Sequence, residues 1–234
     1  MARAPRTFIP GVPSHICVRG NNRQDIFLRD GDRLCFLDWL RIAAQAHGTA
    51  VHAYVLMTNH VHLLATGSDP VSVSRTLQDV GRRYVRYFND RHGRCGTLFQ
   101  GRFKEHLVQA DRYYFACHRY VELNPVRAGM VSDPAEHAWS SYRHYSTGQP
   151  DSLVTPHDLM RGQRHAALFE GEVSNELDQR VRQCMSNGWV LGDPDFCATV
   201  EAALGFRASP VGRGKGSRKD AREANAGQQR LPEM

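Results

Sequence analysis

His60 and His62, one residue apart in MTNHVHLLATG, carry the clearest chemical potential in this sequence. A strand turns alternate residues to one face, so the two imidazoles point together while Val61 and Leu63 point the other way. Such a pair is either two hydrogen-bonded polar side chains or half of a metal site. A second set lies in HRYVELNPV, where Tyr120 and Asn124 are four residues apart and share a helix face if the last turn holds. Two imidazole nitrogens and an amide oxygen leave coordination positions open. That set suits Mg²⁺ or Mn²⁺, with phosphate oxygens filling the gaps. A phosphodiester is shielded from attack by its own negative charge, and a divalent cation on a non-bridging oxygen relieves that repulsion. The phenol of Tyr120 could then attack phosphorus, given an aligned phosphate and a route for its proton, since a free tyrosine ionises only near pH ~10. A phosphotyrosine keeps the bond energy, so a free hydroxyl can reverse the step and rejoin strands.

The elements that must position these groups can be traced along the chain. HICVRG reads as a first strand from about His15 to Arg19, and DGDRLCFLDWLRIAAQAHG as a helix with Asp30 or Asp32 near its start and Gly48 past its end. Leu34, Leu37, Leu40 and Ala44 recur on it at helical spacing. VHAYVLM and HVHLLAT form a hairpin around Thr58-Asn59. DPVSVSRTLQDVGRRYVRYFNDRHG is a long amphipathic helix with its stripe at Val73, Leu77, Val80, Tyr84 and Tyr87. RFKEHLVQ is a fourth strand, and ADRYYFACHRYVEL a third helix ending near Asn124, because Pro125 biases its predecessor away from helix. Strand, helix, strand, strand, helix, strand predicts an α+β, ferredoxin-like (RRM-like) sandwich: one antiparallel sheet, two helices on a face, and the third helix as an addition. After Tyr145 the sequence predicts a connector, then two short helices near Glu176–Met185 and Asp195–Leu204. The expected organisation is a main domain over 1–148, a small helical extension over 149–206, and a basic, disordered tail over 207–234 that includes Arg213, Lys215, Arg218 and Lys219.

Composition narrows the class. The chain has 234 residues, a 41% hydrophobic fraction and no apolar run long enough to span a bilayer. Its N-terminus lacks the apolar centre of a secretory signal. Cys17, Cys35, Cys95, Cys117, Cys184 and Cys197 are scattered, as expected for reduced thiols in a cytoplasm. A formal charge of +6, carried mainly by arginine, suits a polyanionic partner. Arg82, Arg83, Arg86, Arg94, Arg102 and Lys104 are interleaved with Tyr84, Tyr87 and Phe88. They read either as a solvated face over an inward aromatic stripe or as a phosphate-tracking groove. Tyr113 and Tyr114 rival Tyr120 as nucleophile, and Glu105 and His106 alternate on the fourth strand as surface or supporting groups.

The HVH pair after a hairpin, the block RRYVRYFNDRHGRCGTLFQGRFKEHLV, YVELNPVRAGMV and AWSSYRHY together resemble the single-tyrosine HUH transposases, most nearly the REP-associated tyrosine transposases. The resemblance spans roughly His15 to Tyr145, with a weaker echo in GWVLGDPDFCATVEAALGFRASP. It implies a metal-dependent endonuclease and strand transferase for single-stranded, hairpin-forming DNA. His60 and His62 would bind Mg²⁺ or Mn²⁺, Asn124 would be the third ligand, and Tyr120 would link to the 5′ phosphate. It further implies a cytoplasmic, nucleoid-associated protein with no membrane contact, with a monomer favoured over a homodimer. Relatives often read Met-Pro-Asn-His where this chain has Met-Thr-Asn-His, and many end in a Gly-Arg-Pro run where this chain has GRGKGSRK. Two rival readings are a sheet that binds single-stranded nucleic acid without cutting it, and a metallohydrolase that adds Glu105 or Glu122 to the histidines.

Overall fold

The computed structural model describes residues 7–170 and 175–209. The basic stretch GRGKGSRK lies outside the described residues. Four strands, β1 (Ser14–Arg19), β2 (Thr49–Leu56), β3 (His60–Gly67) and β4 (Lys104–Leu107), pair antiparallel in the order β2-β3-β1-β4. This is the α+β sandwich expected from the element order.

Alternation along the strands splits the sheet into two differently furnished faces. Ile16, Val18, Tyr54, Leu56, Val61 and Leu63 form one face with α1 (Asp30–Ala46) and α2 (Ser72–His92), and their apolar surfaces make the larger core. Asp32, 1% exposed, caps α1 from inside by accepting hydrogen bonds from the Leu28 and Arg29 amides at 2.8 and 3.0 Å. Gly48 ends that region at φ +65, and a Cβ there would meet the Ser68 hydroxyl at 2.3 Å. The buried stripe of α1 is Asp32, Phe36, Leu40, Ala43 and Ala44, whereas Leu34, expected on it, is 60% exposed. Phe36 offers the larger surface, and its burial sets the helix's rotation. On α2 the inward line runs through Val80, Tyr84 and Phe88, with Tyr87 and Leu77 at its margin.

The second face carries His15, Cys17 and Arg19 of β1, His60 and His62 of β3, and Lys104 and His106 of β4, matched across the strands as His15–His106, Cys17–His62 and Arg19–His60. Helix α3 (Arg112–Glu122) lies over β2 and β3 on this side, started by Asp111, whose carboxylate accepts from the Tyr113 amide at 2.8 Å. Its C-terminal residue is Glu122. Leu123 keeps helical angles, and α4 (Asn124–Arg127) begins at once with Pro125 in its first turn. After α5 (Tyr142–Thr147), α6 (Asn175–Asn187) packs on α3, β4 and β1, and α7 (Pro194–Leu204) follows. Val181, Cys184 and Leu191 join Tyr113, Cys117 and Tyr120 in the core of this second layer. All six cysteines are unpaired. Among the described residues, no helix is long and apolar enough to cross a membrane.

Candidate active site

The hairpin turn aims His60. Its Nδ1 donates to the Asn59 side-chain oxygen at 2.7 Å, and the Asn59 amide nitrogen donates to the Arg23 carbonyl at 3.1 Å. That carbonyl belongs to a turn in which Asn22 and Arg23 both take positive φ, 49 and 58, a conformation that costs about 1 kcal/mol for a non-glycine residue. The Ile26 amide donates to the Thr58 carbonyl at 3.0 Å and ties the same turn down. The polar Thr58-Asn59 pair before the histidines is therefore the bracket that holds the first ring.

His62 is aimed by a residue the sequence reading passed over. His15 Nε2 lies 2.8 Å from His62 Nδ1, between rings that are 0% and 4% exposed. If Nε2 of His62 is to offer a lone pair, its proton sits on Nδ1 and donates to His15, whose own proton then sits on Nδ1. Both motif histidines thus have Nδ1 engaged by the protein, which leaves Nε2 of each as the atom that could hold a metal and fixes ring direction. Burial, then the Arg19 charge, holds His60 down at about 4. Burial and the neighbouring cations hold His62 well below the ordinary histidine value. At neutral pH both rings are uncharged lone-pair donors. The donor set therefore fits a divalent cation. His106 sits behind His15, fully buried, with ring centroids 4.9 Å apart, so it is no surface group.

Tyr120 reaches the same place from α3. Its ring centroid is 5.9 Å from that of His62 and 5.7 Å from that of His15, and the residue is 8% exposed. His60 and His62 are themselves 4.9 Å apart, edge to face. Tyr113 and Tyr114 are drawn elsewhere: the Tyr113 hydroxyl accepts from Arg112 and Arg180, and Tyr114 packs against His157. Burial raises the Tyr120 pKa, while the neighbouring charges of Arg182 and Arg127 pull the other way. Arg127 lies 4.6 Å over the Tyr120 ring, donates to the Tyr120 carbonyl at 2.8 Å and pairs with Asp178 of α6 at 2.5 Å. Asn124 Nδ2 donates to the same carbonyl at 2.8 Å, which keeps Asn124 beside Tyr120 across the break after Glu122 and leaves its Oδ1 as a possible ligand.

Arg19 and Arg127 act on His62, Lys104 is registered opposite Cys17, and Arg182 acts on Tyr120; of these cations the sequence marks only Lys104 as a DNA contact. Arg82 and Arg86 lie on α2, across the sheet, exposed and paired with Asp79 and Asp90. Arg83 is exposed on the same helix. Arg94 donates to the Gln24 side chain at 2.6 Å, and Arg102 borders a cavity of about 560 Å³ between α2 and the loop at Phe99–Phe103. Arg19 was findable, because His15, Cys17 and Arg19 alternate with Ile16 and Val18. Arg182 was not, because nothing local to α6 says where that helix docks.

Among the described residues, no carboxylate completes the histidine pair. Glu105 is registered opposite Ile16, on the other face from His106. Glu122 points away, accepting from Ser141 and His165 at 2.7 Å each. Among the described residues, one group of three His, Cys, Asp or Glu ligand atoms gathers within 4.8 Å, and it is His118, Glu122 and His165 rather than any set containing His60. The carboxylate-assisted metallohydrolase has no such ligand here.

A four-stranded antiparallel sheet with paired histidines on the face away from α1 and α2, and a tyrosine brought over them by an added helix, defines a class. Residues 10–124, just under half of the chain, match the family model described as Transposase IS200 like, and over that span the chain is similar to the IS200-like transposases. Among solved structures, it is similar to one described as the structure of the REP associates tyrosine transposase bound to a REP hairpin. That likeness has a TM-score of 0.52 and 21% identity over 67% of this chain and 93% of that one, and it bears on the fold. No curated protein matches the chain.

Proposed function

We propose that the chain is a divalent-metal-dependent endonuclease and strand transferase for single-stranded DNA, acting on hairpin-forming palindromic sequences through a 5′-phosphotyrosine on Tyr120. The observation that carries this reading is the meeting of the Tyr120 and His62 rings at 5.9 Å within one chain. His60 and His62 through Nε2, with Asn124 Oδ1, would hold Mg²⁺ or Mn²⁺, which when bound draws charge from a non-bridging phosphate oxygen.

The chain's own groups account for the rest. The Tyr120 oxygen attacks phosphorus, the bond from phosphorus to the 3′ oxygen breaks, and that oxygen takes up a proton as the phenol loses one. Arg182 beside the hydroxyl favours the phenolate, and Arg127 fixes the ring, so attack starts from an oriented nucleophile. Attack by a free 3′ hydroxyl on the phosphotyrosine reverses the step and joins strands. All these side chains come from one chain, which supports a monomer as the working unit. Lys104 beside the site, with Arg82, Arg83, Arg86, Arg94 and Arg102 around the helical layer, would hold the DNA backbone. The place of action that fits such a substrate is the cytoplasmic nucleoid.

The test is incubation of the protein with an end-labelled hairpin oligonucleotide and Mn²⁺. A protein–DNA adduct surviving denaturation is expected, lost in Tyr120→Phe and kept in Tyr113→Phe. Cleavage without an adduct, or an adduct that persists in Tyr120→Phe, overturns the proposal.

A further inference from the structure

We propose that His118, Glu122 and His165 bind a second divalent cation of the zinc class, which pins the segment after α5 onto the helix that carries Tyr120. The site is independent of His60 and His62 and of the reaction proposed above. His118 and Glu122 are one turn apart on α3, and His165 comes from the short turn His165–Leu168. These residues are 0%, 0% and 7% exposed, and one ligand atom from each lies within 4.8 Å of the others.

The contacts are those of shared ligands more than of a closed hydrogen-bond network. His118 Nε2 is 3.3 Å from Glu122 Oε1. The approach is off the line a hydrogen bond needs, and both ring nitrogens of His118 are buried without a hydrogen-bond partner. Two donors bound to one tetrahedral ion at ~2.0–2.1 Å stand about 3.3 Å apart. His165 Nε2 is closer to the carboxylate, 2.7 Å from Oε2. An ion would displace the proton between them and let the pair open by a few tenths of an ångström.

The surroundings are built for a ligand carboxylate. The Ser141 hydroxyl donates to Glu122 Oε1 at 2.7 Å and fixes its orientation. Tyr142, Tyr145 and Phe169 wall the site, with ring centroids 5.0–5.4 Å from His165. Two imidazoles and one carboxylate, with a fourth position left for water, favour zinc over the oxygen-seeking Mg²⁺.

The full chain is prepared without chelator as the His60→Ala/His62→Ala variant, which removes the other site, and its zinc is measured by elemental analysis. About one equivalent is expected, replaceable by Co²⁺ with the visible absorption of a four-coordinate ion. His118→Gln/His165→Gln in that background should lose it at least tenfold. Because that variant could fold poorly, His165→Cys supplies a gain of signal: bound Co²⁺ should acquire a thiolate charge-transfer band. Zinc below a tenth of an equivalent in the His60→Ala/His62→Ala protein, full zinc in His118→Gln/His165→Gln, or no thiolate band in His165→Cys overturns the proposal.

Discussion

Replacing His15 with phenylalanine isolates the contribution of a residue that touches no substrate. Phenylalanine keeps a flat aromatic ring at this position, at a somewhat larger volume, but offers no acceptor to the Nδ1 proton of His62. The lost hydrogen bond is 2.8 Å long and lies between rings 0% and 4% exposed, so water cannot replace it. The orphaned donor costs about 1–3 kcal/mol of folding stability. Freed from its partner, the His62 ring no longer holds Nε2 in one direction, and loss of such a supporting contact weakens metal affinity by roughly 10–100-fold. Asn59→Ala is the matched control, because it removes the equivalent 2.7 Å contact to His60. His60 is only half-buried, so water can take the place of Asn59, and the expected loss stays under about tenfold. The assay is Mn²⁺ titration followed by electron paramagnetic resonance, with adduct formation measured at saturating Mn²⁺. Unchanged Mn²⁺ affinity in His15→Phe, or a larger defect in Asn59→Ala, would falsify the account of how the second ring is aimed.

Three further outcomes are expected. Arg182 is exposed and its charge lowers the Tyr120 pKa, so Arg182→Met should leave the fold intact, slow adduct formation about 10-fold or more, and move the alkaline limb of the pH–rate profile to higher pH; an unmoved limb argues against its role. Burial lowers the pKa of His15, His52, His60, His62 and His106, so for these the unfolded chain binds more protons below the ordinary 6.5. Stability is then fully present above pH 6.5 and is lost as pH falls toward 4, with a limiting slope of roughly 7 kcal/mol per pH unit for five such groups. Metal-free protein should therefore melt far lower at pH 5 than at pH 7.5, and equal midpoints would contradict this. Replacing Arg82, Arg83 and Arg86 together with glutamine should weaken hairpin binding and flatten its salt dependence by up to about one unit of slope per lost phosphate contact, with the rate at saturating DNA unchanged; an unaltered salt slope would place the DNA away from α2.

The parts of this protein legible in its sequence are those whose signal is periodic and local. Alternation in HVHLL put two rings on one face, and the order of strands and helices fixed which helix had to cross that face. The turn chemistry was visible in Thr58-Asn59 but its purpose was not, because Asn59 acts by reaching Arg23, 36 positions earlier. His15 carried the same alternation as His60, yet a lone histidine at a strand start is ordinary. Only the pairing of β1 with β3 brings the rings together. The α1 stripe was misphased at Leu34 because spacing alone cannot weigh a phenylalanine against a leucine. The α2 arginines stand across the sheet from the histidines, so any DNA backbone they hold lies away from Tyr120.

Arg127 shows why the extension belongs to the chemistry and not only to the packing. One guanidinium covers the Tyr120 ring, binds the Tyr120 carbonyl and pairs with Asp178, so α6 is anchored to Tyr120 itself. The pair is largely buried, with side chains 17% and 7% exposed, so its loss cannot be made good by solvent. Arg182, two turns of sequence from any recognisable motif, then falls beside the hydroxyl because Asp178 has already set where α6 lies. Tyr120 is thereby held over His60 and His62 by residues from both halves of the chain. Cutting the chain after the family-matched span, at residue 124, would remove Arg127, Asp178 and Arg182 together, leaving a tyrosine near two histidines with nothing to hold it or favour its ionised form.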